Sequence, residues 1–448
     1  MWVTEMTLTS FAHEPLSRGN MRLPESSSKP ASVPVSLIAL LALGHCMAFI
    51  DRNLPAVAAP LLKTDLGLSD TQLGLLDGPA FALLYVVGML ASWPLAHSPQ
   101  RLRLLAGCIA TWMLGMVVFA CGHVLATLMI ARALVGLGQA AFVPLALGLI
   151  VECSAPQWRA RCIAVFTAAS SAGRSLSLLL GGLVLAWFAK RMPAPALAHW
   201  RLLFLVMAAP NLVLMVLLLC RAEPHTAPLP PARHVLRQIV ASFREQSRLM
   251  SMYLCGAGAS VLVVQTIGAW APSVLNREQG LTPAAAALAF GVSLLIASPL
   301  GHFIAGILVD KRGERRSPLV IVAGALLLVL PMLAMIPAAT SGVTACALLA
   351  LASLVGGTAA VAALAGLPAM LGPSQRDAGL RVFLAFITVV GVALGPYMAG
   401  VISDAKGLGG HGLSSALSLV CMVAAIAGIA ATLLARSGAR RLAAEVAR

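Results

Sequence analysis

Asp51 and Arg52 stand side by side in "GHCMAFIDRNLPAVAAP", residues 44–60, inside a run from Val33 to Leu62 that is otherwise apolar. A second base, Arg132, opens "ARALVGLGQAAFVP", in which Arg132, Gly136, Gln139 and Val143 recur at i, i+4, i+7 and i+11 and so share one face of a helix. A third, Arg174, sits in "SSAGRSLSLLLGG" on a stripe with Ser170, Ser177 and Gly181. One further acid, Asp77, lies in the apolar stretch "GLLDGPAF". A guanidinium can grip a carboxylate or phosphate through two parallel hydrogen bonds, and an isolated carboxyl can take up and release a proton. Those residue types suit binding an anionic solute and moving a proton. No nucleophile with a partnering base, P-loop or metal-ligand cluster accompanies them, so the sequence does not read as an enzyme and calls for no cofactor or metal.

What must position these groups follows from composition. The 448 residues are 59% hydrophobic and 10% charged, far from the quarter or so of charged residues usual in soluble domains. A hydrocarbon core about 30 Å thick needs roughly 20 apolar residues of helix to cross it. Twelve stretches of about that length are expected as transmembrane helices: 34–62, 72–96, 103–122, 125–151, 162–188, 201–220, 249–274, 283–309, 317–337, 342–370, 379–403 and 412–435. Their continuous Leu, Ala, Val and Gly content is not the alternating pattern of barrel strands. The fold class is therefore an all-α membrane protein. An ionised residue at the bilayer centre costs about 2.5–3.5 kcal/mol on insertion scales, so the buried charges should face a cavity or a partner. Neighbours on a helix point about 100° apart, so Asp51 and Arg52 should not satisfy each other.

The net charge of +15 does not gather into a nucleic-acid patch; the 31 Lys and Arg alternate with the spans, 22 on one set of loops and tails, 6 on the other and three within spans. By the positive-inside rule both termini are cytoplasmic. Residues 1–30 read as a disordered tail, 31–221 as a six-helix bundle, 222–247 as a linker, 248–436 as a second six-helix bundle and 437–448 as a short tail. The linker's Leu236, Ile239, Val240 and Phe243 share a face opposite Arg233, Arg237, Arg244 and Arg248, which fits either a helix on the anionic leaflet or a solvated connection. The nine scattered cysteines read as small packing residues, and the isolated His45, His97 and His302 as packed or interfacial histidines.

An internal repeat supports two halves. "GILVDKRGERR" follows the eighth span, and a worn counterpart, "WPLAHSPQRLR", follows the second. The first string resembles the G-x-x-x-D-R-x-G-R-R loop of the major facilitator superfamily, with Gly306, Asp310, Lys311, Gly313, Arg315 and Arg316 in matching places. That resemblance spans about 34–436 and implies two pseudo-symmetric six-helix bundles that rock about a central site, with this loop gating the motion. Together "DR" at 51–52, Arg132 with "GLGQA", "GAWAPSVLNREQGLTPAAAAL" and "GVALGPYMAGVISD" resemble the Spinster-like branch, carriers of lipid-like and organic solutes. In that branch the first-span Asp takes the proton and the fourth-span Arg contacts substrate. The resemblance implies those roles for Asp51 and Arg132, with Gln139 standing where the branch usually has an acid.

The expected function is a secondary active transporter of the inner membrane, acting as a monomer in the bilayer and moving an anionic or amphipathic organic solute with protons. Alternatives are an uncoupled facilitator, suggested by Gln139, or a carrier like the anion:cation symporters for sugar acids or aromatic acids, which share "DRN". Arg52 is expected at the substrate or as a brace, Arg174 at the substrate or reaching the cytoplasmic surface, and Asp77 as a second carboxylate or an interface residue.

Overall fold

A computed structural model of the chain describes residues 34–92, 95, 98–192, 196–224, 247–312, 318–367, 376–405 and 412–446. The tail 1–30, nearly all of the linker, His97, and Gly313 and Arg315 of the gating loop lie outside them. Among the described residues there is no strand, and twelve helices are long and apolar enough to span a membrane.

These are α1 (Val35–Leu66), α2 (Asp70–Ala91), α3 (Arg101–Cys121), α4 (Leu125–Cys153), α5 (Pro156–Arg191), α6 (His199–Leu219), α7 (Ser247–Arg277), α8 (Pro283–Arg312), α9 (Pro318–Met335) and α10 (Gly342–Gly366). The remaining two are α11, built from Arg376–Ile387, Thr388–Leu394 and Gly395–Asp404, and α12 (Gly412–Val446). Every expected span is found, and most are longer than their apolar stretch. At 1.5 Å per residue the 32-residue α1 is about 48 Å long, so it projects beyond a 30 Å core. Capping explains where several begin. Ser69 Oγ accepts from the Gln72 backbone N–H at 3.2 Å while Gln72 Oε1 accepts from the Ser69 N–H at 2.9 Å, a closed box at the start of α2.

Helices α1–α6 pack mainly with one another, as do α7–α12, and the two sets meet along α1 with α7, α2 with α11, and α5 with α8. The end of the molecule where α1 begins is called here the tail side, and the opposite end the far side.

Two of the helices that join the halves are interrupted. In α2 the backbone turns out of helical geometry at Gly78, and Pro79, which lacks an N–H, restarts the helix. In α11 the segment Thr388–Leu394 has the wider turns of a π-helix and runs into Gly395-Pro396. The interruptions face each other: a Cβ on Gly78 would lie 2.5 Å from the Ala393 carbonyl oxygen, so only glycine lets the backbones approach this closely. Between α5 and α8, a Cβ on Gly182 would lie 2.8 Å from the Leu288 side chain.

Candidate functional site

Asp51 and Arg52 point into different surroundings, as adjacent helical positions must. Asp51 is 1% exposed and turns into the first six-helix set. Its Oδ2 accepts from the Asn211 amide of α6 at 2.8 Å, and Trp112 of α3 donates its indole N–H to Asn211 Oδ1 at 3.1 Å. Its Oδ1 is buried without a hydrogen bond. Burial of one unpartnered oxygen of an acid is costly, and such a group marks a functional or a strained position. Asn211, in the otherwise apolar "MAAPNLVLM", was the sequence signal for this cluster that periodicity alone did not draw out.

Arg52 turns toward α2 and α4. Its guanidinium carbon lies 4.6, 4.5 and 4.9 Å from the ring centres of Phe49, Phe81 and Tyr85, an aromatic cage for a cation. Its Nε donates to Gln139 Oε1 at 3.1 Å, and Gln139 Nε2 donates to the Ala48 carbonyl at 2.8 Å. Gln139 thus ties α4 to α1 with both ends of its amide, a task a deprotonated acid could do at only one end.

Arg132 and Gln139 share a face, and that face is packed against α1 and α2; each is 1% exposed. The break at Gly78 explains what Arg132 does there. The Gly78 carbonyl already serves the restarted helix through Ala82, leaving the carbonyls just before it without the usual donors. Arg132 Nε donates to the Leu76 carbonyl at 2.9 Å, and its Nη2 to the Asp77 and Arg52 carbonyls at 3.4 and 3.1 Å. Asp77 Oδ1 is 4.0 Å from the same Nη2. Asp77 lines a small void together with Pro55 and Ala56 of α1 and Trp270 of α7, where the two halves meet.

Arg174 is the expected site residue that faces open space. A cavity of about 170 Å³ lies between the halves, lined by Arg174, Ser171 and Phe49 on one side and Gln265, His302 and Leu294 on the other. Arg174 Nη2 donates to Gln265 Oε1 of α7, and the Ser171 hydroxyl is 3.3 Å from His302 Nδ1 of α8. Both contacts cross between halves near the middle of their helices. Neither Gln265 nor the His302 contact was foreseen, because the partner of a cavity residue belongs to the other half and has no fixed spacing in sequence. His45, by contrast, is a packed histidine, stacked 4.2 Å from Phe166 with its Nδ1 2.8 Å from that residue's carbonyl.

At the far side the halves are joined by ions. Asp70, at the first turn of α2, receives Lys63 Nζ on Oδ1 at 2.6 Å, Arg277 Nη1 of α7 at 2.8 and 3.0 Å, and the Ser403 hydroxyl of α11 at 2.6 Å. In return Asp404 of α11 accepts from the backbone N–H groups of Asp70 and Thr71 at 3.0 and 2.7 Å, where a carboxylate also meets the positive end of the helix dipole. The sequence reading put gating in the loop after α8; of that motif, Gly306, Asp310 and Lys311 continue α8 as helix. The ion contacts between the halves lie at the other end, where Arg277, Ser403 and Asp404 fall within the quoted strings at 268–288 and 391–404 but had no assigned role.

Comparison with known proteins agrees with this architecture. The family profile described as Major Facilitator Superfamily matches residues 41–396. An "MFS-type efflux pump" of Mycolicibacterium smegmatis is 29% identical over 419 residues, covering 92% of this chain and 94% of that protein. The "3-(3-hydroxy-phenyl)propionate transporter" of Escherichia coli is 27% identical over 308 residues, 68% of this chain and 72% of that one. Among solved structures, a bacterial homolog of the human lysosomal transporter Spinster, in an inward-facing and unoccupied conformation, superimposes with a TM-score of 0.76 at 23% identity, covering 91% of this chain and 96% of that one.

Proposed function

The chain belongs to the Major Facilitator Superfamily, and we propose that it is a secondary active transporter that moves a small anionic or amphipathic organic solute, with protons, by alternating access. The observation that carries this reading is Arg174, a guanidinium facing a cavity between two halves whose far side is held shut by the Asp70, Arg277 and Asp404 contacts. A carrier needs a site that opens to one side at a time, and a rocking pair of bundles provides that with little internal change.

In this reading Arg174 holds the solute's anionic group, Arg52 adds positive charge from behind the cavity-lining Phe49, and Arg132 and Gln139 fix Arg52 and the α2 break. Asp51 carries the proton: it is buried apart from the bases, and its single hydrogen bond from Asn211 on α6 makes its surroundings sensitive to how the first set of helices packs. Gln139 cannot titrate, so at most one proton moves through this pair per cycle. The loop asymmetry of 22 to 6 supports an inner-membrane orientation with both termini in the cytoplasm, so the far side is the outside and the cavity faces inward. The printed name of the Escherichia coli relative, a carrier of an aromatic acid, supports an anionic solute.

Gln139 also favours a second reading, an uncoupled facilitator. Proteoliposomes separate the two: uptake of a labelled organic anion with and without an imposed pH gradient should show accumulation above equilibrium only for the coupled carrier. Equilibration alone under both conditions supports the facilitator, and no uptake above protein-free vesicles for any anion removes both.

A further inference from the structure

Arg174 already has a partner within the cavity. Its Nη2 is taken by the side-chain carbonyl of Gln265 from the opposite half. An amide oxygen presents a guanidinium with the same acceptor that one oxygen of a carboxylate presents, but without charge and through one bond only. A carboxylate or sulfonate can offer two oxygens and a full charge, which makes it the stronger partner for a planar guanidinium. We infer that Gln265 is the protein's internal stand-in for the substrate's anionic group, displaced from Arg174 when substrate binds. This rests on the anion-carrier reading and goes further, because it names the competing group and the size of the ligand.

The rest of the cavity defines that ligand. Phe49, Val261, Val264 and Leu294 give apolar wall, while the Ser171–His302 pair adds one polar spot beside Arg174. A cavity of about 150 Å³ holds a benzene ring, so about 170 Å³ matches a ring-sized group lying beside Arg174 rather than a long acyl chain folded within it. The ligand class is a small aromatic or comparably compact monoanion. Displacement also has a mechanical consequence. The Arg174–Gln265 bond joins α5 to α7, so replacing it with a bond to a mobile solute releases a tie between the halves when the site fills.

The test is equilibrium binding to the purified full chain, by isothermal calorimetry, of phenylacetate, benzenesulfonate, the neutral isostere phenylacetamide and a long-chain lysophosphatidate. Wild type should bind both small anions and prefer phenylacetate to phenylacetamide by tenfold or more. Gln265→Leu removes the competitor without removing the base, so it should bind the small anions about tenfold more tightly, the scale of one hydrogen bond to a charged group. Arg174→Gln should lose the preference for the anion, and Arg174→Lys, which keeps the charge, should retain part of it and controls for folding.

If Gln265→Leu weakens binding as much as Arg174→Gln does, Gln265 holds the ligand and the inference fails. Tighter binding of lysophosphatidate than of phenylacetate overturns the size argument. Anion binding that persists unchanged in Arg174→Gln but is lost in a variant at Arg52 overturns the pocket assignment and leaves the anion-carrier reading intact, whereas wild type that binds no anion in the series defeats both.

Discussion

Replacing Asp70 with Asn should open the far side. The Asp70 side chain is 5% exposed, and of its side-chain partners Arg277 and Ser403 belong to the opposite half while Lys63 is on α1, in the same half; the backbone bonds to Asp404 remain when the side chain is changed. Hydrogen bonds to a charged group contribute about 1.5–3 kcal/mol each. Arg277 is 24% exposed, so its share is reduced by solvent screening, and the two cross-half contacts together hold the closed state by about 3 kcal/mol. Asparagine keeps one acceptor oxygen but no charge, so half of that, about 1.5 kcal/mol, is lost, which shifts the balance of far-closed to far-open by about tenfold. The assay is alkylation of a cysteine introduced at Ala360 on the cavity wall by a membrane-impermeant maleimide, in vesicles of each orientation and in a background in which all nine native cysteines are replaced. In Asp70→Asn, labelling from the far side should rise steeply. Lys63→Ala should change it little, because that pair does not cross between halves. Equal effects of the two substitutions, or labelling confined to the tail side in Asp70→Asn, would refute the assignment of these ions as the closure.

Arg132→Ala should lower the melting temperature of the detergent-solubilised protein by several degrees, since about 3 kcal/mol of hydrogen bonding to the Leu76 carbonyl at the α2 break and the Arg52 carbonyl of α1 is lost; unchanged melting with lost binding would instead put Arg132 at the substrate. Gly78→Ala forces a Cβ to 2.5 Å from the Ala393 carbonyl, so it should separate α2 from α11 and reduce turnover while the cavity at Arg174 still binds anion; wild-type turnover would contradict the close approach. Asp51→Asn should abolish accumulation driven by a pH gradient and leave exchange of internal for external anion, measured by counterflow; preserved gradient-driven accumulation moves the proton site elsewhere, with Asp77 next. Gln139→Glu places a titrating group 3.1 Å from Arg52 Nε, and its deprotonated form loses the donor to Ala48, so transport should depend more steeply on pH; an unchanged pH profile would show that position 139 is silent.

The twelve spans were legible because a bilayer demands an uninterrupted apolar length and permits few alternatives to helix. The 100° separation of Asp51 and Arg52 was legible from helical geometry alone. What these two touch was not. Asp51 finds its partner 160 residues away at Asn211, and Arg52 finds Gln139 across 87 residues, distances over which one sequence carries no pairing signal. The shared face of Arg132 and Gln139 was correctly periodic, but periodicity does not say whether a polar face looks onto a cavity or onto a neighbouring backbone. Here the Gly78-Pro79 break supplies carbonyls that need donors, and Arg132 answers that local demand. The break itself was written in the sequence as Gly-Pro within an apolar span. The far-side closure was hidden for another reason: Asp70, Arg277 and Asp404 sit at span ends, where charges are ordinary, and only the approach of α2 to α7 and α11 gives them a joint role.

The most direct test of the account is gradient-driven uptake of labelled benzenesulfonate, which stays ionised and does not cross protein-free bilayers, into proteoliposomes holding wild type or Arg174→Gln. An imposed pH gradient should make wild type concentrate the anion above its external level, collapse of the gradient should release the excess, and Arg174→Gln should do neither. Uptake that stops at equilibrium whatever the gradient, or accumulation by Arg174→Gln equal to that of wild type, would contradict a proton-coupled anion carrier working through this cavity.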